Sequence, residues 1–158
     1  MKIYFLRHGI AEDGGPDMSD RDRELTETGV ADMEKVAKGL RRMGIHPDII
    51  LSSPFPRAFQ TADIVANAMG LIDKLQKESV IAPGFRMSDL QHLAAEHPGV
   101  NSIMVVGHNP EMSMLPSQLI GGGYFSLQKG AIACVECEMV DAGSGRLLWL
   151  LTPGLLKK

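Results

Sequence analysis

Apolar residues fall in two different rhythms along this chain. Ile3-Tyr4-Phe5-Leu6, Ile49-Ile50-Leu51 and Ile103-Met104-Val105-Val106 are unbroken apolar runs, each too short for a helix. They place strands over 2–6, 48–52 and 102–106, buried in a sheet covered on both faces. Elsewhere the apolar positions recur every three or four residues. Val30, Met33, Val36, Ala37, Leu40 and Met43 trace one stripe among Lys35, Lys38, Arg41 and Arg42, which predicts an amphipathic helix. Thr26 stands at its N-cap and Gly44 at its end. Ala58, Ala62, Val65, Ala68 and Met69 predict a second helix, closed by Gly70. Pro54 and Pro56 open it, where a missing N–H costs little.

The remaining signals are weaker. Residues 76–81 read as a strand. Ser88 is a candidate cap for a short helix with Leu90, Leu93 and Ala94 inward, ending before Pro98. A helix over 111–120 precedes Gly121-Gly122-Gly123. Strands over 130–139 and 145–151 form a hairpin around residues 141–145. Strands that alternate with helices argue for an α/β fold, a mainly parallel sheet between two helical layers. The 158 residues suit a single domain over 1–158 with a real core. No linker or internal repeat divides them.

Composition narrows the function. The chain is 44% apolar with a net charge of −3, so nucleic acid is not an expected partner. No run reaches the roughly 18 apolar residues of a membrane span, and the short N-terminal run, broken by Arg7 and His8, is no signal peptide. A cytoplasmic location is expected. Cys134 and Cys137 have redox-motif spacing, but on a strand residues three apart face opposite ways, so both read as packing residues. Asp17, Asp20 and Asp22 lack the offsets of a calcium loop and read as a solvated rim. The glycine triplet follows a helix and lacks a Lys-Ser/Thr pair, so it is no P-loop. His46, His92 and His97 read as surface or cap residues. No metal-ligand set or cofactor motif is present.

Three segments carry candidate chemistry. Arg7-His8-Gly9 follows the first strand, where the carboxyl ends of an open sheet form a crevice. A neutral imidazole can attack phosphorus and form a covalent phosphohistidine. Arg7 offers a planar fork of donors for phosphate oxygens, and Gly9 permits close backbone approach. Arg57 sits in the first turn of a helix, against its dipole, which suggests a nearby anion. His108, in Gly107-His108-Asn109-Pro110, follows the third apolar strand and can stabilise charge on a phosphoryl group.

The ordered set R-H-G at 7–9, S-S-P-x-x-R-A-x-Q-T-A at 52–62 and G-H-N-P at 107–110 resembles the histidine phosphatase superfamily. The resemblance implies a phosphoglycerate mutase-like α/β/α sandwich. It makes His8 the nucleophile, with Arg7, Arg57 and His108 as the phosphate pocket and Gly9 and Asn109 beside it. Arg23-Glu24-Leu25-Thr26-x-x-Gly29 is similar to the SixA-type protein-phosphohistidine phosphatases and adds Arg23 as a phosphate ligand.

Superfamily members acting on phosphoesters usually carry an acid after the third strand. Here no Glu or Asp stands between Val80 and Ser88; Asp89 is the nearest candidate general acid, with Glu12 and Asp13 as alternative sources of the proton. Imidazole leaves far more easily than an alkoxide, which favours P–N substrates. The expected substrate is phosphohistidine on a protein, such as a histidine phosphotransfer domain or a phosphocarrier, with phosphate as product. The competing readings are a small-molecule phosphomonoesterase of the same superfamily and a non-catalytic phosphoprotein-binding module.

Overall fold

The computed structural model describes residues 1–158. Six strands form one sheet: β1 (Lys2–Arg7), β2 (Ile49–Ser52), β3 (Leu75–Lys77), β4 (Ser102–Gly107), β5 (Ile132–Cys137) and β6 (Gly145–Leu151). Their spatial order is β3-β2-β4-β1-β5-β6. All neighbours up to β1 pair in parallel, and β5 alone runs against the rest. The helices are α1 (Glu27–Arg42), α2 (Pro56–Met69), α3 (Met87–Glu96), α4 (Glu111–Leu119) and the short α5 (Pro153–Leu156).

The two-residue period of β1 sorts the core into halves. Ile3 and Phe5 join Ile103, Val105, Leu90, Leu93, Met112 and Leu115 on the face covered by α3 and α4. Tyr4 and Leu6 join Met104, Val106, Met33, Leu40, Ala62 and Val65 on the face covered by α1 and α2. This is the expected three-layer sandwich. Cys134 packs in the second half and Cys137 in the first, both as free thiols, so the strand argument against a shared site holds. No helix is long and apolar enough to cross a membrane.

Thr26 caps α1 as expected, its Oγ1 accepting the Gly29 N–H at 2.9 Å. Gly29 is the only residue type that fits here, since a Cβ would lie 2.0 Å from the Ile10 carbonyl oxygen. The L-T-x-x-G run thus fixes α1 against the loop leaving β1. The stripe is narrower than its periodicity suggests: Val30 and Met43, at its two ends, are solvent-exposed.

Two expectations are corrected. The strand expected over 76–81 is only Leu75–Lys77, because it is an edge strand with one parallel neighbour and the chain turns away at Glu78. Ser88 does not cap α3. Arg86 holds the N-cap position, and the Asp89 carboxylate accepts the Arg86 N–H at 2.8 Å from within the first turn.

Candidate active site

β1 and β4 are paired in register, Arg7 beside Gly107. The residue after each strand is a histidine, so the sheet sets His8 next to His108. The His8 N–H donates to the Gly107 carbonyl at 3.0 Å, and the two rings lie 5.3 Å apart. Both are buried.

The hydrogen bonds assign the His8 tautomer. Its Nδ1 lies 2.7 Å from the Gly9 carbonyl oxygen, which can only accept, so Nδ1 carries the proton. Nε2 is then the lone-pair nitrogen, and it receives a long 3.4 Å contact from Arg57 Nε. Burial pushes the His8 imidazole down to about 3; the Gly9 bond opposes this, and His108, Arg57 and Arg7 add to it. His8 is neutral at pH 7 and presents an unprotonated nitrogen.

His108 is ordered by a residue the sequence reading did not single out. Ser53 Oγ lies 2.7 Å from His108 Nε2. That hydroxyl also accepts the Phe55 N–H at 3.2 Å, which directs its own proton to Nε2. Nδ1 of His108 is then an N–H, and it is buried without a hydrogen-bond partner. Burial pushes this imidazole down to about 4, with Arg57 adding, Asp20 opposing and Arg7 adding a little. His108 is therefore a neutral donor.

Arg57, buried in the first turn of α2, packs its guanidinium 5.4 Å from the centre of the Phe55 ring, which also lies 5.1 Å from the His108 ring and 5.7 Å from the Arg21 guanidinium. Arg7 donates from NH1 to the Leu127 carbonyl at 2.8 Å, while its Nε is buried without a partner. Unpaired buried donors are rare because desolvation is not repaid. Two of them belong to Arg7, the residue before His8, and to His108, whose ring neighbours that of His8. An oxyanion satisfies such a set.

The S-S-P-x-x-R-A-x-Q-T-A run has a physical reading residue by residue. Ser53 orients His108. Pro56 opens α2. Gln60 accepts the Leu25 N–H at 2.8 Å, Thr61 accepts the Gly9 N–H at 3.0 Å and donates to the Arg57 carbonyl at 2.7 Å, and Ala62 is fully buried. The run fastens α2 to the loop that carries His8.

The other expected site residues are placed less directly. Gly9 makes its close approach to α1, where a Cβ would meet Met33 at 2.7 Å. Asn109 spends its amide on the Leu127 carbonyl at 3.0 Å and on the Ser113 hydroxyl at 2.8 Å, bracing the segment that holds Arg7. Arg23 donates to the Glu12 carbonyl at 2.6 Å and to Asp20 at 2.8 Å. Asp89 is engaged at the start of α3. The buried Glu111 ties α4 to the segment after β3, accepting the Gly84 N–H at 2.6 Å. Asp20 is exposed, as expected of a rim residue, but it is also engaged in ion pairs that the sequence reading did not suggest. Its carboxylate lies 3.0 Å from Arg57 NH2 and 2.8 Å from Arg23 NH1, joining the two arginines. A carboxylate three residues before an arginine was the sequence signal, and only the path of the loop shows that it reaches Arg57.

Comparisons with known proteins point to one superfamily. Residues 3–86 match the family model of the histidine phosphatase superfamily, branch 1. The phosphohistidine phosphatase SixA of Escherichia coli strain K12 is 30% identical over 162 residues, covering 99% of this chain and 97% of SixA. An uncharacterized protein of Picosynechococcus sp. strain PCC 7002 is 32% identical over 161 residues, covering 96% of each chain. A solved structure of the protein histidine phosphatase SixA complexed with tungstate superposes with a TM-score of 0.85 at 29% identity, covering 99% of this chain and all of that one. The α-ribazole phosphatase of Shigella flexneri has a TM-score of 0.75 at 17% identity and shares the fold. With its fold, its paired histidines and its ordered motifs accounted for, the chain belongs to the histidine phosphatase superfamily.

Proposed function

We propose that this protein is a phosphatase that works without a metal, forms a covalent intermediate on His8 and removes phosphate from phosphohistidine on a partner protein. The observation that carries the reading is the unprotonated Nε2 of His8, set among Arg7, Arg57 and His108.

The Nε2 lone pair attacks phosphorus in line. The substrate's P–N bond breaks, and its electron pair goes to the leaving ring nitrogen. The other ring nitrogen of the substrate already carries a proton, so the imidazole departs neutral. Phospho-His8 keeps its Nδ1–H, which the Gly9 carbonyl accepts. Water then attacks phosphorus, the new P–N bond breaks, the pair returns to Nε2, and both protons of the water stay with the product, which leaves as dihydrogen phosphate. Arg7, Arg57 and the His108 Nδ1–H hold the equatorial oxygens throughout. Positioning and charge stabilisation supply the catalysis.

Three observations support phosphohistidine over a phosphoester. The segment between Val80 and Ser88 offers no acid to protonate an alkoxide, and Asp89 is committed to the first turn of α3. The full-length likeness is to SixA, named as a phosphohistidine phosphatase and solved with tungstate, a tetrahedral oxyanion. Beside Asn109, a cavity of about 450 Å³ has a mixed lining in which Met114, Tyr124 and Phe125 stand among polar residues such as Ser113, Ser117 and Gln118, with Tyr124 almost wholly exposed. Apolar side chains open to solvent beside a phosphate site suit a substrate larger than a metabolite.

The test is competitive turnover in EDTA of a phosphohistidine-bearing protein against a panel of phosphomonoesters, with His8→Ala as control. Rapid loss of phosphohistidine that depends on His8 is the expected result. Faster ester turnover would move the substrate to a metabolite. Retained activity in His8→Ala would refute the nucleophile, and binding without turnover would leave a recognition module.

A further inference from the structure

Asp20 occupies the guanidinium edge of Arg57 that the proposed function gives to the substrate oxyanion. Arg57 turns both terminal nitrogens to this one residue: NH1 donates to the Asp20 carbonyl at 2.5 Å and NH2 to its carboxylate at 3.0 Å. Arg23 donates to the other carboxylate oxygen at 2.8 Å. The hydrogen bond from Arg23, with Arg57 adding, holds the Asp20 carboxyl below the usual carboxylate range, so it is an anion whenever the site is in use. The same charge is felt at His108. Nothing else retains it. The 3-10 turn Asp20–Asp22 has no buried residue, and the Asp20 side chain is 62% exposed.

We propose that Asp20 is a specificity-determining residue, an internal anion that competes with phosphate for Arg57 and Arg23. This rests on the phosphate-site reading above. A carboxylate offers two oxygens and one charge, whereas a phosphoryl group offers three oxygens and up to two charges. A phosphoryl group held also by contacts outside the site displaces Asp20. Free orthophosphate has only the site itself, and the returning carboxylate opposes its hold. Opening the latch costs every phosphoryl ligand the same factor, but a protein substrate with contacts outside the site still saturates it while free orthophosphate does not, so product inhibition is weakened. A latch closed nine-tenths of the time lowers apparent phosphate affinity about tenfold.

The experiment measures orthophosphate binding to the whole protein by calorimetry at pH 7 and fixed ionic strength, for wild type, Asp20→Asn, Asp20→Ala and Asp22→Asn. Asp22 carries the same charge in the same turn and bonds Ser19 at 2.8 Å, so it controls for the general field. Both Asp20 variants are expected to bind orthophosphate about tenfold more tightly, and Asp22→Asn to bind like wild type. Equal or weaker binding by the Asp20 variants would overturn the proposal, since Asp20 would then merely position the arginines. Equal tightening in Asp22→Asn would overturn it too, by reducing the effect to net charge. If Arg57→Ala binds orthophosphate as well as wild type does, the phosphate-site reading itself falls, a failure distinct from the other two.

Discussion

Two buried imidazoles make the stability of this protein fall in mild acid. An ordinary unfolded histidine titrates near 6.5. In the folded chain His8 and His108 are pushed down to about 3 and about 4, chiefly by burial. The folded state therefore binds fewer protons than the unfolded state between those values and 6.5, and stability drops as pH falls through that window. The loss begins near 6.5 and levels off only below the folded values. Down to pH 5 its size is set by the unfolded value, because neither folded group has begun to charge. Between pH 7 and pH 5 each histidine contributes close to 2 kcal/mol, or about 3–4 kcal/mol together, at 1.36 kcal/mol per unit. That is a large part of the roughly 5–15 kcal/mol holding a domain together. The assay is guanidinium unfolding at both pH values for wild type and for His8→Asn/His108→Asn. Contributions from carboxylates are common to both proteins and cancel in the comparison. The double variant is expected to lose about 3–4 kcal/mol less than wild type over this interval. An equal loss in the two proteins would show that the histidines are not held neutral, and the nucleophile argument would lose its basis.

Other substitutions test single contacts. Arg57→Ala removes a charged donor from the developing oxyanion and should lower kcat/KM by about 2–4 kcal/mol, roughly thirty- to thousandfold, in the phosphohistidine assay. Ser53→Ala leaves His108 Nε2 without its donor; nitrogen chemical shifts should report loss of the single Nδ1–H tautomer, and unchanged shifts would refute the assignment. Gly29→Ala drives a methyl group onto the Ile10 carbonyl oxygen, and denaturant unfolding should show a loss of about 1–3 kcal/mol despite the better helix propensity of alanine.

What could be read from the sequence follows from which constraints are local. β1, β2 and β4 are covered on both faces, so they read as uninterrupted apolar runs. β3 is an edge strand of three residues with one parallel neighbour, and it left only a faint and overlong signal. His8, His108 and Arg57 stand beside element ends that the pattern located, which was enough to bring them to one crevice. Ser53 was within reach as well, a hydroxyl at the end of β2 one residue before a proline. Thr61 stood inside the 52–62 run without a role of its own, while Phe55 and the Leu127 carbonyl act through contacts between distant segments that no local pattern announces. Asp20 was discounted for the same reason. An exposed acid in a polar loop resembles any other until the loop is seen to cross Arg57. The cap of α3 failed differently, because Ser88 and Asp89 are adjacent candidates and the first turn admitted the carboxylate from inside the helix.

The place of β1 in the sheet also governs how the protein comes into being. Both of its neighbours, β4 and β5, are encoded about a hundred or more residues later. As the chain is synthesised, β1 emerges before both of its partners and stays an unpaired apolar strand until residue 107 is available on one side and residue 137 on the other. Pairings this distant in sequence close late and slowly, and an apolar strand left waiting is a point of self-association. His8 and His108 are set side by side by that same closure. An incomplete chain ending before β4 holds the first histidine and Arg57 yet has no site, so hydrolysis appears only with the finished sheet.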